Sequence, residues 1–326
     1  MSKMSIDPAR HALNGVTMGT RWSALFFAQA GFDVAPVQAA LQSAVAAVDK
    51  QISTWSQDSD LMRLNRAPVG AWVAVPRELA SVLALGIRIG QASGGAFDMG
   101  MGDAVRAWGF GPAPADAQQI RTAMTATRHP AHQVLELDGQ RVRKTAPVTL
   151  DLNGIAKGYG VDRLAEVVQA HGIDAALVGI DGEMRSFDLR PDGEAWTIAI
   201  EAPDTQRRAP LSVLALHDAA VATSGDYRHW VDVQGCRLSH TMDPARNAPL
   251  RTSPASVTVV APTCAEADAW TTALMVAGPQ AGCDLAQRNG LQALFVLRGD
   301  AGRLQTHAVG QLFRNTTVAM TPDIRG

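Results

Sequence analysis

Between Val16 and Phe27 the chain carries Thr, Trp and Phe in partial alternation, the period of a half-buried strand. From Val34 to Ile52 apolar residues return at helical spacing, with Pro36 in the first turn, so a strand followed by a helix is expected to open the fold. Arg77 to Gln91 predicts a second helix, stopped by Ser93-Gly94-Gly95, and Ala115 to Thr127 a third, with Asp116 in its first turn. Short strands are expected at 132–137, 141–144 and 147–152, the first two joined by the turn Asp138-Gly139. A helix of moderate amphipathicity over Ile155–Ala170 follows directly. From 175 to 261 short β-rich runs (Ala175 to Val178, Trp196 to Glu201, Leu211 to Leu216, Ser256 to Val260) alternate with Gly, Pro and Asp clusters, the pattern of a largely antiparallel sheet. Thr263 stands three residues before Glu266, a capping box that opens a helix to about Ala277. A helix over Ala281–Arg288 and strands near 292–297 and 304–308 complete the pattern.

Composition narrows the classes of function. With 326 residues, 47% hydrophobic and 18% charged, the chain has ample material for a buried core and does not read as disordered. A formal charge of −2 gives no global field toward phosphate backbones or anionic lipid, so nucleic acid is not an expected partner. Cys236, Cys264 and Cys283 are too widely spaced for a zinc pair and odd in number, which leaves them as buried or incidental thiols. The apolar runs fall well short of the ~20 residues of a bilayer span, so no membrane span is expected. The first twenty residues lack the apolar core of a signal peptide, and the first cysteine comes too late for a lipid anchor near the start; a cytoplasmic location is the expectation.

Four segments could carry chemistry. In DLNGIAKGYGVD (151–162) an Asn-Gly turn runs into a helix whose first turn holds Lys157, and helix-start amides with a lysine suit an anion, although a tight turn with a solvated lysine reads the same way. In SHTMDP (239–244) His240 precedes Asp243 by three residues, near enough for a carboxylate to orient an imidazole, or for both to shape a surface turn. Asp268 and Thr272 lie four apart on one predicted helix, so their oxygens share a face that suits Mg²⁺, or serve their own helix. SGGAFDMGMGDAVRAWGFG (93–111) combines glycines, aromatics and Asp98, as a backbone close to a flat ligand requires, or as a loop packing Phe97, Trp108 and Phe110 into the core. Trp55 offers a ring for stacking, or for packing.

In order along the chain, MGT (18–20), STW (53–55) with Ser59 and Asn65, GGAFD (94–98), WGFG (108–111), DLNGIAKGYGVD, ATSGDY (222–227), SHTMDP and DAWTTAL (268–274) resemble the motifs of the FAD:protein FMN transferase family, the ApbE-like flavin transferases. The resemblance covers nearly the whole chain. It implies one α+β domain over residues 1–326, built as two intertwined lobes with mixed, largely antiparallel sheets and flanking helices, and FAD in the cleft between them. By the same resemblance the flavin and nucleotide contacts fall on Met18, Trp55, Ala96, Phe97, Asp98, Asp151, Lys157 and the backbone of Met242. The Mg²⁺ site falls on the Gly154 carbonyl, Asp268 and Thr272, and the base on His240, with Asp243 orienting it.

The implied reaction is attack of a Thr or Ser hydroxyl of a target flavoprotein on the FMN phosphorus of FAD, leaving phosphoester-linked FMN and AMP. An FAD pyrophosphatase releasing FMN and AMP, and a non-catalytic FAD-binding protein, are the alternative readings. Departures from the family pattern are Trp55 at a position usually Tyr, Met99-Gly100 in place of Pro-Thr, Gly179-Ile180-Asp181-Gly182-Glu183 where Gly-Gly-Asp is usual, and Arg246-Asn247 in place of Thr-Gly. Many relatives are exported lipoproteins; without an export signal the expected target is a cytoplasmic flavoprotein or domain.

Overall fold

The computed structural model describes residues 8–204, 209–227, 230–233, 236–251, 254–299 and 303–314. The chain opens with β1 (Ala9–Thr17), β2 (Thr20–Ala28), α1 (Ala35–Ile52), α2 (Asp60–Arg66), β3 (Trp72–Ala74) and α3 (Arg77–Ala92). Next come α4 (Gly102–Ala107), α5 (Ala117–Thr125), α6 (Ala131–Val134), β4 (Leu135–Asp138), β5 (Arg141–Lys144), α7 (Asn153–Ala170), β6 (Ala176–Ile180) and β7 (Glu183–Phe187). The remainder is β8 (Trp196–Glu201), β9 (Pro210–Leu216), β10 (Ala220–Gly225), β11 (Trp230–Val233), β12 (Cys236–Ser239), β13 (Met242–Asp243), β14 (Ala248–Pro249), β15 (Ser256–Ala261), α8 (Cys264–Arg288), β16 (Gln292–Arg298) and β17 (Leu304–Val309).

The centre is an eight-stranded sheet in the order β1-β2-β6-β7-β10-β15-β16-β17, antiparallel at every pairing, as the alternating runs of the sequence lead one to expect. Helices α1, α7 and α8 cover one face, where Trp22, Phe26, Leu41, Val45, Leu164 and Val178 are fully buried together. The hairpin β8–β9 covers part of the other face through Trp196, Ile198, Ile200 and Leu214, which alternate with exposed residues as a half-buried strand requires. A second layer of smaller elements, α2 to α6 and the sheet β3-β5-β4, joins the first through a continuous core in which Leu83 and Ile89 of α3 meet Ile155 of α7 and Leu274 of α8. The fold is therefore α+β, with helices flanking antiparallel sheets.

Several local expectations are corrected. The strand expected from Val16 to Phe27 is a hairpin: β1 and β2 meet with Thr17 opposite Thr20 around a two-residue Met18-Gly19 turn, both residues at positive φ (47° and 71°), the geometry of a type I′ turn. β1 escapes the pattern because it is a half-exposed edge strand with few apolar residues. Residues 131–134 form a short helix before β4, with Pro130 as its cap. The strand expected at 147–152 makes only an isolated bridge between Thr149 and Met101. The Asn65 side chain substitutes for a neighbouring strand there, donating to the Leu150 carbonyl (2.9 Å) and accepting from the Leu150 amide (2.7 Å).

Helices α2 and α4 and strand β7 were not anticipated. Thr263 caps the helix as expected, its Oγ1 accepting from the Glu266 amide at 3.3 Å, while the Glu266 carboxylate accepts from that hydroxyl at 3.1 Å. The two helices expected at the C-terminal end are two arms of α8, bent where Gly278 takes a φ of 75° before Pro279. Among the described residues no helix is long and apolar enough to cross a membrane.

Candidate active site

Where the β1–β2 turn, the ends of α1 and α3, the start of α7 and the middle of α8 meet, they enclose a cleft of about 1280 Å³. Part of its wall is the crossing of α7 and α8, through Gly154, Lys157, Asp268 and Thr272. Glycine permits this crossing: a Cβ at Gly158 would stand 2.3 Å from the Cys264 carbonyl oxygen, and one at Gly154 only 3.0 Å from Thr272 Oγ1. The Gly158 amide donates to Asp268 Oδ2 at 2.9 Å, so the carboxylate, only 5% exposed, is fixed at the helix crossing. Burial pushes the Asp268 carboxyl up, and the neighbouring Glu183 carboxylate adds to this.

Lys157 lies one turn into α7, its Nζ 2.8 Å from Glu183 Oε1 and 3.4 Å from Asp181 Oδ2. Burial alone would favour its neutral form, but Glu183, Asp268 and Asp181 outweigh that and hold it firmly protonated. Glu183 is buried, and its second oxygen finds no hydrogen-bond partner among the described residues. Asp151, just before α7, accepts from the Asn153 amide at 2.9 Å while its own amide donates to the Met99 carbonyl at 2.8 Å. Burial raises its carboxyl to about 6.

The rest of the lining comes from loops with defined anchors. Met18 enters from the β1–β2 turn. Trp55, 61% exposed, sits on the loop after α1, where its amide donates to Ser53 Oγ at 3.2 Å. Ala96, Phe97 and Asp98 follow α3; the Phe97 amide donates to Ser93 Oγ at 3.0 Å, and Asp98 Oδ1 accepts from the amides of Gly100 and Ala131, both at 2.8 Å. Burial raises the Asp98 carboxyl despite those bonds. His240 reaches the cleft from the short connection between β12 and β13 and Met242 from β13, where it packs into a cluster with Met101, Ala104 and Ala107.

Of the residues named from sequence, Met18, Trp55, Ala96, Phe97, Asp98, Asp151, Gly154, Lys157, His240, Met242, Asp268 and Thr272 all line this one cleft. Asp243 is not among the lining residues. Its Oδ1 accepts from the Ala245 amide at 2.9 Å, and its Oδ2 stands 4.0 Å from an Arg246 guanidinium nitrogen. Next to it Asn247 takes a φ of 51°, a left-handed conformation that asparagine tolerates better than most residues, so the replacement of a family glycine here keeps the turn. Its carbonyl accepts from Trp108 Nε1 at 3.1 Å, tying this turn to the end of α4.

Sequence reasoning assigned no role to Asp162, Asp181 or Glu183. Asp162 is a buried acid inside α7 that accepts from the amides of Cys264 and Ala265, both at 2.9 Å, and thereby seats the start of α8 on α7. An acid on the inner face of a predicted amphipathic helix was the available signal. For Asp181 and Glu183 the signal was an Asp-Gly turn between two strands, visible only once β7 is recognised. Cys264 is buried and its thiol pushed up by burial, Cys283 is partly buried, and the Cys236 side chain lies outside the described residues.

Among the described residues no group of three or more His, Cys, Asp or Glu is placed to hold a metal ion. A cation here would depend instead on mixed oxygen donors. Gly154, Asp268 and Thr272 supply a carbonyl, a carboxylate and a hydroxyl at one helix crossing, a set of the hard kind that Mg²⁺ prefers.

The chain is 36% identical over 299 residues to the FAD:protein FMN transferase of Vibrio cholerae serotype O1, with 89% of this chain and 88% of that protein covered. It is 34% identical over 300 residues to the FAD:protein FMN transferase of Escherichia coli K12, covering 89% and 85%. The crystal structure of the Pseudomonas stutzeri flavinyl transferase ApbE in its apo form superposes with a TM-score of 0.81 at 35% identity, covering 95% of this chain and 96% of that one. Since the ApbE family model also matches residues 18–295, which include every lining residue named from sequence, this chain belongs to the ApbE family.

Proposed function

We propose that the chain transfers FMN from FAD to a Thr or Ser hydroxyl of a target flavoprotein and releases AMP. The observation that carries this reading is the convergence, in one cleft, of a lysine held charged at a helix start, a hard-oxygen donor set and a histidine. FAD lies along the cleft, its isoalloxazine against Trp55 and the 96–98 turn, where an aromatic partner contributes ~1 kcal/mol beyond area burial. Lys157 and the α7 amides face the pyrophosphate, supplying fixed positive potential where charge develops on the leaving AMP.

Gly154, Asp268 and Thr272 would hold Mg²⁺, which supplies Lewis-acid neutralisation of the pyrophosphate when bound. His240 takes the proton of the acceptor hydroxyl as the oxygen attacks the FMN phosphorus, a role worth roughly 10²–10⁴ in rate. Asp243 supports it from the same turn, one of its oxygens committed to Ala245. A flavoprotein or flavoprotein domain that exposes a Thr or Ser is the acceptor we favour.

The test is to incubate the protein with FAD, Mg²⁺ and candidate flavoproteins, then resolve the products. Transfer predicts a fluorescent acceptor band with the added mass of FMN, and one AMP released per modified acceptor. Asp268→Asn should abolish turnover with the fold intact. Free FMN and AMP in equal amounts with no labelled acceptor, or undiminished turnover in excess chelator, would overturn the reading in its acceptor and its metal part respectively.

A further inference from the structure

Strands β6 and β7 are joined by Asp181-Gly182, with Ile180 opposite Glu183 and both turn residues at positive φ (57° and 134°). Such a two-residue turn accepts Asn, Asp or Gly at its first position, and Asn-Gly serves it as well as Asp-Gly. The backbone accounts for the small choice of residues at 181 but does not require a charge. The charge has a place of its own: Asp181 lines the cleft, and its Oδ2 stands 3.4 Å from Lys157 Nζ, which also meets the buried Glu183 at 2.8 Å. Side-chain exposure separates the two carboxylates. Glu183 is 5% exposed and is a permanent counter-ion, whereas Asp181, at 25%, shares with Lys157 the rim of the cavity.

From this we infer that Asp181 is an affinity-setting residue, a carboxylate that competes with the phosphate groups of the substrate for the ammonium of Lys157. The inference rests on the proposed placement of the FAD pyrophosphate at Lys157. Glu183, Asp268 and Asp181 all act on the Lys157 ammonium, so a phosphate group placed there must displace Asp181 from Lys157 or bring a cation with it. Asp181 thereby weakens the binding of bare phosphate esters and leaves the flavin ring contacts untouched. Its role is to lower the affinity of every ligand that places a phosphate at Lys157, FAD included, relative to a ligand that has none.

The experiment measures dissociation constants by flavin fluorescence for FAD and for riboflavin, which has no phosphate, with the unsubstituted protein, Asp181→Asn, Asp181→Gly and Lys157→Ala. Both Asp181 variants suit the turn, and thermal unfolding confirms that they fold. Asp181→Asn should tighten FAD binding roughly fivefold at low ionic strength, less at high salt, with riboflavin unchanged. Unchanged or weaker FAD binding in Asp181→Asn, with Lys157→Ala weakening FAD as expected, overturns the inference while leaving the placement of FAD standing. Equal tightening of riboflavin overturns it as well. If Lys157→Ala leaves FAD affinity unchanged, the placement of the pyrophosphate fails first and the role of Asp181 falls with it.

Discussion

His240 and Asp151 both line the cleft, yet they answer to different physics, and single substitutions separate them. A base acts on the acceptor hydroxyl and not on the bound nucleotide, so His240→Ala should lose most FMN transfer while FAD affinity and thermal stability hold. Parallel loss of FAD binding would reassign His240 to supporting its loop. Asp151 is an acid raised by burial from 3.8 to about 6, so ionising it in the folded protein costs free energy. The sign follows from linkage: its contribution is most favourable below the unfolded value and is lost as pH rises through about 6. Asp151→Asn keeps the acceptor for the Asn153 amide, loses the bond that Oδ2 accepts from Asn153 Nδ2 and removes the charge, so it should stabilise the ligand-free protein at pH 8 by at most ~3 kcal/mol less the ~1 kcal/mol of that bond. Urea unfolding at about pH 8 and pH 4 checks it; a gain that is the same at both would show that charge is not the cause. The same variant should bind FAD more weakly if the carboxylate contacts the nucleotide.

Between elements, the decisive contact is the crossing of α7 and α8, which brings Gly154 to Thr272 and Gly158 to Asp268. Because a Cβ at Gly158 would stand 2.3 Å from a carbonyl oxygen and 2.7 Å from Asp268 Cβ, neither a flexible end, the helices would have to part. Gly158→Ala should therefore cost ~1–3 kcal/mol in denaturant unfolding and raise the Mg²⁺ concentration needed for half activity. Native stability with native Mg²⁺ dependence would show that the crossing is looser than it looks. Much at this scale was legible in advance. α1, α3, α7 and both arms of α8 followed from helical spacing and from caps such as Thr263 and Glu266, because each buries a long apolar stripe. Short or half-exposed elements were not. α2 and α4 are too short to show a period, β1 is exposed along much of its length, and the 147–152 segment is held by the Asn65 amide, a long-range bond no local pattern records. Motif order named residues far apart in sequence that line one cleft, but it missed Asp181 and Glu183 because their turn depends on a strand that the alternation does not reveal.

At the scale of the whole molecule, the cleft draws its walls from both halves of the structure: Ala96 and Phe97 come from the layer of small elements, Met18 from the edge hairpin of the large sheet, and Asp268 from the helix that spans the shared core. A ligand that touches all of these binds only the folded chain, and ligands of this kind raise stability by mass action. FAD should therefore raise the melting temperature in a concentration-dependent way, with ~2.7 kcal/mol of stabilisation at a hundredfold excess over its dissociation constant. For a chain of this size that corresponds to a shift of several degrees. Mg²⁺ should add to the shift when FAD is present, because the proposed cation site at Gly154, Asp268 and Thr272 lies beside Lys157, where the pyrophosphate is placed. Riboflavin, which lacks the pyrophosphate, should give a smaller shift that Mg²⁺ does not change. The measurement is differential scanning fluorimetry or calorimetry with each ligand, with and without Mg²⁺, on the native protein and Asp268→Asn. A saturating FAD shift that is insensitive to Mg²⁺ in the native protein would separate nucleotide binding from the cation site, and the absence of any FAD shift would mean that the cleft is not where FAD binds.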